Sequence, residues 1–368
     1  MMRAVAIVGA IGLSAAAAAQ VGVTDFLGTG PAADFERAQA PRVFDFPADH
    51  GAHPGFRSEW WYFTGNLAAA DGRHFGFQLT FFRFALAPRA AERASAWATN
   101  QAWMAHLTVT DSAGQRFHAA ERLARGALGL AGAQAAPFRV WLGDWEATAA
   151  GSAVDIYPLR LIARDEGVAI DLTLTTAKPL VLQGDNGWDR KGPEPGNASY
   201  YYSYTRLLAR GHINISGAIV DVSGSAWMDR EWSSSALGPD LGGWDWCALQ
   251  LSDGSELMLY RLRRKDGRVS AFSKAALIRP NGERRSYGAG EFAFEPRRWW
   301  TSPRTRVKYP VAWSIELPAE ELFLEIKPRL DNQELDLTVR YWEGAVLASG
   351  RARSSALRAD GYLELAGY

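Results

Sequence analysis

Along most of the chain, apolar and polar residues alternate in short runs, and two-residue turn signals separate the runs. "ADGR" at 70–73, Asp-Gly at 253–254, 266–267 and 360–361, and Asn-Gly at 281–282 stand between stretches rich in Tyr, Phe, Trp, Val and Leu. Asp-Gly and Asn-Gly accept the positive φ angles of tight hairpins, so each marks an expected turn. Many short strands joined this way predict an all-β chain of antiparallel sandwiches or barrels. Helical spacing is scarce. Two short helices are expected, over "ERLARGALGLAGA" at 121–133 and "PRAAERASAWA" at 88–98.

The two strongest hairpins resemble each other. The first is "EWWYFTGNLAAADGRHFGFQLTFFR" at 59–83 and the second is "GWDWCALQLSDGSELMLYRLR" at 243–263. Each opens with paired tryptophans, turns at Asp-Gly and returns through alternating apolar residues to an arginine. They lie about half the chain apart, as an internal duplication would place them. Two like β domains are therefore expected, over 42–221 and 222–368, changing over near 217–226. An extended lead over 20–41 precedes them.

Strand alternation assigns faces to the residues with chemistry. In "WMDREW", Trp227, Asp229 and Glu231 share one face, and Met228, Arg230 and Trp232 share the other. Two carboxylates beside an indole perturb each other, and apolar surroundings favour the protonated form. The pair is thus a candidate acid, or else two carboxylates paired with arginines of neighbouring strands. Arg230 on the opposite face suits a cation–π contact with an indole. In "SEWWYFTG", Glu59, Trp61 and Phe63 share a face, opposite Trp60, Tyr62 and Thr64. On the return strand Phe75, Phe77, Leu79 and Phe81 form an apolar face, while Gln78 and Thr80 point the other way. Arg83, inside "FFRF", needs a partner because an unpaired buried charge is costly, and Glu59 is the natural one. "GWDRKGPEPGNASYYYSYTR" at 187–206 combines a loop carrying Lys191 with a strand on which Tyr200, Tyr202 and Tyr204 share a face. Such tyrosines can wall an apolar ligand and orient it through their hydroxyls.

Composition narrows the field. The chain has 40 Lys+Arg and 40 Asp+Glu and no strongly basic block, which argues against a nucleic-acid partner. Fifteen tryptophans suit thick sheet cores and walls around apolar ligands. Arg3, the apolar run "AVAIVGAIGL" and an A-x-A site ending at Ala19 read as an export signal over 1–19. The run is too short for a comfortable membrane span, so a periplasmic or secreted protein, not membrane-spanning after cleavage, is expected. Cys247 is the only cysteine, so no internal disulfide is expected and a buried thiol is. No cofactor fingerprint is present, and "HGAH" at 50–53 is too short for a convincing metal set.

The stretches "FPADHGAHPGFRSEWWYFTGNL", "GFQLTFFR", "YYYSYTRL", "GSAWMDREWSSSAL" and "GWDWCALQLSDGSELMLYRLR" resemble the AttH/CrtC family, in order and over most of the chain. The resemblance implies two lipocalin-like β-barrel domains with a ligand cleft where they meet. Members include carotenoid hydratases, related fungal cyclisation enzymes, and secreted AttH proteins encoded with ABC transporter genes. The secreted branch is often labelled a predicted hydrolase, yet no nucleophile here stands beside a base. The hydratases have a histidine where Arg230 stands, followed by the tryptophan matching Trp232; they also use a Tyr and an Asp at the positions of Tyr260 and Leu262. An arginine does not donate a proton at neutral pH, so Asp229 or Glu231 would have to serve as the acid.

The first expectation is a lipocalin-like protein that binds an extended hydrophobic or amphipathic ligand, a lipid or isoprenoid, as an accessory to an ABC transport permease. Glu59, Trp61, Tyr62, Gln78, Arg83, Tyr202, Tyr204, Arg230, Trp244 and Trp246 are its candidate ligand-binding residues. The alternative is a hydratase or lyase on an isoprenoid-like substrate, with Asp229 or Glu231 as acid and Trp232 and Tyr260 around the developing cation. Neither reading calls for a metal or cofactor.

Overall fold

The computed structural model describes residues 34–89, 94–151, 156–235 and 237–368. The expected export signal (1–19) and most of the expected lead (20–41) lie outside the described residues. Strands dominate the rest, and the only helical turns among the described residues are two 3₁₀ turns, Ala48–His50 and Pro318–Glu320. Among the described residues no helix is long and apolar enough to cross a membrane.

The first sheet holds β1 (Ser58–Ala69), β2 (His74–Ala85), β3 (Gln101–Asp111), β4 (Arg116–Arg125), β5 (Ala131–Ala135), β6 (Phe138–Leu142), β7 (Trp145–Ala149), β8 (Leu159–Asp165), β9 (Val168–Thr176), β10 (Val181–Leu182), β11 (Trp188–Arg190), β12 (Ala198–Ile215) and β13 (Ala218–Ser233). The second holds β14 (Leu241–Leu251), β15 (Glu256–Arg264), β16 (Lys274–Ile278), β17 (Arg284–Gly288), β18 (Ala293–Thr301), β19 (Lys308–Leu317), β20 (Leu322–Pro328), β21 (Glu334–Asp336), β22 (Arg340–Ala352) and β23 (Ser355–Ala366). Both are antiparallel and curled, one into a nearly closed barrel and the other into a half-barrel, a two-domain lipocalin-like β fold. They share one wiring rule. In the first sheet β1 lies between β2 and the last strand, β13; in the second β14 lies between β15 and the last strand, β23. The two matching hairpins thus occupy equivalent places, as a duplication predicts. The first sheet runs through Ser233 and the second begins at Leu241, so the sheets change over later than 217–226. The ladder between β1 and β13 continues to Ser58↔Ser233, and this pairing keeps the whole of "WMDREW" in the first sheet.

The alternating pattern builds three apolar layers. Trp61, Phe63, Phe75, Phe77, Leu79 and Phe81 fill the first barrel with residues from the far strands. Cys247, Leu249, Leu257, Leu259, Trp313 and Leu363 fill the second. The opposite faces of the same strands, carrying Tyr62, Tyr201, Trp227, Trp246, Ala248 and Tyr260, meet in a third layer. Cys247 is buried as expected, and burial pushes its thiol pKa up.

Three local expectations change. Residues 121–133 form no helix: β4 pairs with β3 up to Ala102↔Arg125, and positive φ at Leu128 and Gly129 then turns the chain into β5. In the stretch 88–98, residues 90–93 lie outside the described set, and 94–98 are irregular with a turn. Asp360-Gly361 is no hairpin but the middle of β23, where Gly361 pairs with Leu249 and Val346. Its φ is not positive; a Cβ at Gly361 would run into the Ala248 carbonyl, so glycine serves close approach there. Gly72 and Gly254, at φ +85° and +86°, do make the expected hairpin turns.

Candidate functional site

Where the outer faces of the two sheets meet they leave a cleft with an empty volume of about 780 Å³, solvent at its mouth included. Its walls are aromatic and come from both halves of the chain. The first sheet presents Trp60, Tyr62, Phe82 and Tyr201, and the second presents Trp244, Trp246, Tyr260 and Tyr341. The duplication puts the tryptophans on opposite sides, Trp60 on β1 and Trp244 on β14. Between the walls stand four carboxyl side chains, Asp229, Glu231, Glu343 and Glu364, with Lys191 as the cation among the lining residues.

Each carboxyl is held differently. Asp229 is 4% exposed and accepts hydrogen bonds from Tyr201 Oη at 2.8 Å, Ser203 Oγ at 2.5 Å and Trp227 Nε1 at 2.7 Å. All three donors are neutral. Burial therefore wins over the hydrogen bonds, and the Asp229 carboxyl is pushed up to about 7. Glu231 accepts from Lys191 Nζ and Ser199 Oγ, yet burial outweighs them and its pKa is raised. Lys191 is pulled down by burial, but Glu231 and Asp189 outweigh that and keep it firmly charged. Glu343 and Glu364 face each other as a cross-strand pair, and burial followed by mutual repulsion favours protonation of this pair. Tyr62 donates to Glu343 across the gap between the sheets. Behind the wall, Tyr260 Oη donates to Asp189 at 2.8 Å, and Lys274 Nζ binds the same carboxylate at 2.6 Å.

The other face of β13 points into the first barrel. Arg230 is fully buried there, its guanidinium 3.9 Å from the Trp61 ring centroid and 5.0 Å from that of Trp232. Glu59 receives Arg230 and Arg83 together. Burial pushes the Glu59 carboxyl up, but the two arginines, with His53, hold it far below the usual carboxylate range. His53 also stacks on Trp232 at 3.9 Å, and His50 Nδ1 meets Tyr202 Oη at 2.7 Å. The histidines of "HGAH" thus lie within this buried network, and among the described residues no group of three or more His, Cys, Asp or Glu is arranged to hold a metal.

Of the residues singled out from the sequence, Tyr62, Gln78, Asp229, Glu231, Trp244, Trp246 and Tyr260 line the cleft. Glu59, Trp61, Arg83, Tyr202, Arg230 and Trp232 lie on the barrel side, and Tyr204 packs against the same core. The alternation within each strand is as read, and so is the pairing of Arg83 with Glu59. The arginine partners considered for Asp229 and Glu231 are replaced by neutral donors and Lys191. Sequence reading missed Tyr201, the cleft-facing neighbour of the three tyrosines it grouped, and Glu343 and Glu364 in the last two long strands. Single acids inside the apolar runs "RYWEGAV" and "GYLELA" were the available signal. Asp229 pairs with Tyr62 across the β1–β13 ladder, and Glu364 pairs with Trp246 across the β14–β23 ladder, so the duplication itself relates the two acids.

Comparison with known proteins agrees with this architecture. A candidate AttH from Nitrosomonas europaea, solved at 2.00 Å, is 38% identical, spanning 89% of this chain and 99% of its own, with a TM-score of 0.79. Kievitone hydratase from Nectria haematococca superposes with a TM-score of 0.70 at 15% identity, over 90% of this chain and 95% of its own. CghA with Sch210972 gives 0.52 at 15% identity, over 90% and 97%. At that identity the last two show likeness of fold. No curated protein matches the sequence. The AttH-like family pattern matches residues 37–368, and with nearly all of both barrels inside that match, the chain belongs to the AttH-like family.

Proposed function

We propose that the cleft binds an extended hydrophobic or amphipathic molecule, a lipid or isoprenoid, and that the protein acts in the periplasm or outside the cell as an accessory to an ABC transport system. The observation that carries the reading is the wall of tryptophan and tyrosine faces from both sheets around one open cleft. Apolar walls with a few placed polar groups are what a small-molecule site requires. The transport setting and the location rest on the family resemblance and on the signal-like start of the sequence. The test is native mass spectrometry of protein exported and purified without detergent, followed by solvent extraction. A co-purifying apolar molecule, recovered unchanged after prolonged incubation, is expected. Protein that carries none, and whose tryptophan fluorescence responds to no lipid or isoprenoid, would refute the reading.

One observation favours acid catalysis of the hydratase or lyase type as a second reading: Asp229 is an acid with its pKa pushed up to about 7, in an aromatic cleft. Its O–H would protonate one alkene carbon, the cation forming on the other carbon would face an indole, and water would add there and return a proton to the carboxylate. Trp232, the tryptophan expected beside the cation, faces the barrel, so Trp60, Trp244 or Trp246 would take that role. The likeness to kievitone hydratase supports this reading at the level of fold. Incubating the protein with an isoprenoid alkene in H₂¹⁸O tests it: ¹⁸O in the product, lost in Asp229→Asn while binding persists, is expected of an enzyme. No label in any product would refute it.

A further inference from the structure

The ionisable lining of the cleft is mostly acidic, four carboxyl groups against one lysine. Asp229, Glu231, Glu343 and Glu364 are acceptors when ionised, and Lys191 is already engaged by Glu231 and by Asp189 at 3.7 Å. The arginines nearest in sequence, Arg83 and Arg230, are spent on Glu59 on the far side of the sheet. Lys274 and Arg284 line a separate cavity beyond Asp189. No uncommitted cation is therefore among the lining residues to receive an anionic head group.

A further acceptor is open. Gln78 is fully buried and lines the cleft, and its Nε2 donates to Thr80 Oγ1 at 2.9 Å and to Tyr341 Oη at 3.1 Å. Its Oε1 has no hydrogen-bond partner. A buried acceptor without a donor costs about 1–3 kcal/mol, so this atom is poised for a donor that arrives with a ligand. Of the four carboxyls, Glu364 is the most exposed, on the strand paired beside the one that carries Trp244 and Trp246, with Trp246 as its direct cross-strand neighbour. Aromatic faces beside carboxylates form the recurrent environment for an alkylammonium group, combining cation–π and Coulomb attraction.

We propose that the ligand of the cleft is a cationic amphiphile, an apolar chain ending in an amine or ammonium group, whose head is received by Glu364, Glu343 and Gln78. This rests on the reading of the cleft as a site for an amphipathic molecule and adds the sign of its head group. A fatty acid or lipid phosphate would be disfavoured, because it would find no free cation and would oppose ionisation of Asp229 and Glu364, whose carboxyls are pushed up to about 7, whereas an ammonium head group favours that ionisation.

Three probes of equal chain length separate the possibilities: decylamine, decanol and decanoate, each below its micellar concentration, titrated at pH 7 by calorimetry and tryptophan fluorescence. Decylamine is expected to bind at least about tenfold tighter than decanoate, with decanol between them. Glu364→Gln is expected to weaken decylamine about tenfold and leave decanol unchanged; unchanged decanol binding also reports that the variant is folded. Decanoate or decanol binding as tightly as decylamine, or a Glu364→Gln variant that keeps the amine preference, would overturn the charge assignment while leaving the cleft a ligand site. If none of the three binds, the cleft reading fails and the charge assignment with it.

Discussion

Asp229 and Glu59 are buried carboxyls on two paired strands, one on each face of the same sheet. Their behaviour is opposite. Glu59 is 0% exposed and receives two guanidinium groups, so it stays ionised to low pH. Asp229, 4% exposed, receives a phenol, a hydroxyl and an indole, so it takes up a proton near neutrality. Burial alone favours the neutral acid on both faces; the charge of the donors decides the outcome. The barrel face uses its charges to fix the packing of Trp61 and Trp232, whereas the cleft face keeps its acids in a state that chemistry or a ligand can change.

The largest expected effect breaks the barrel side of this comparison. Glu59→Gln leaves two buried guanidinium groups without a counter-charge and is expected to cost about 3–5 kcal/mol in urea unfolding at pH 7. Because Glu59 has a lowered pKa in the folded state, its stabilisation is present above about pH 4.5 and is lost as pH falls. The gap between wild type and variant should therefore narrow in acid.

Asp229 has the opposite sign. Its folded pKa of about 7 lies above the ordinary aspartate value of 3.8, so the folded state binds the extra proton between those limits. The stability it contributes is complete below about pH 4 and disappears as pH rises through 7, a change of about 2–4 kcal/mol. Asp229→Asn keeps the shape without the titration, and its unfolding free energy should lack that decline. A variant with the wild-type slope would show that Asp229 is not the group responsible.

Lys191→Gln removes the cation from Glu231 and should cost about 1–3 kcal/mol at pH 8, less at pH 5, where Glu231 can protonate instead. Unfolding curves at the two pH values check the difference. The smallest effect separates the tryptophans by face. Trp246→Ala should weaken binding of an apolar probe about tenfold, roughly 1.4 kcal/mol, whereas Trp232→Phe should leave the affinity unchanged. Equal losses in fluorescence titration would mean that the two faces do not divide the work.

Much of this was legible in the residues. Alternation in "SEWWYFTG", "GFQLTFF" and "WMDREW" set which side chains share a face, because a strand has a period of two whatever it pairs with. Asp-Gly turns at 71–72 and 253–254 set two hairpins, and their likeness announced the duplication. The pairing of Arg83 with Glu59 followed from the cost of a lone buried charge. Only the tertiary structure decided which face became core and which became cleft, since both faces of these strands are apolar and aromatic and periodicity cannot rank them. It also placed Glu343 and Glu364 opposite Asp229, residues more than a hundred positions apart, through the packing of one sheet on the other. The protonation of the acids came last, because it depends on which neutral or charged donors that packing brings within reach.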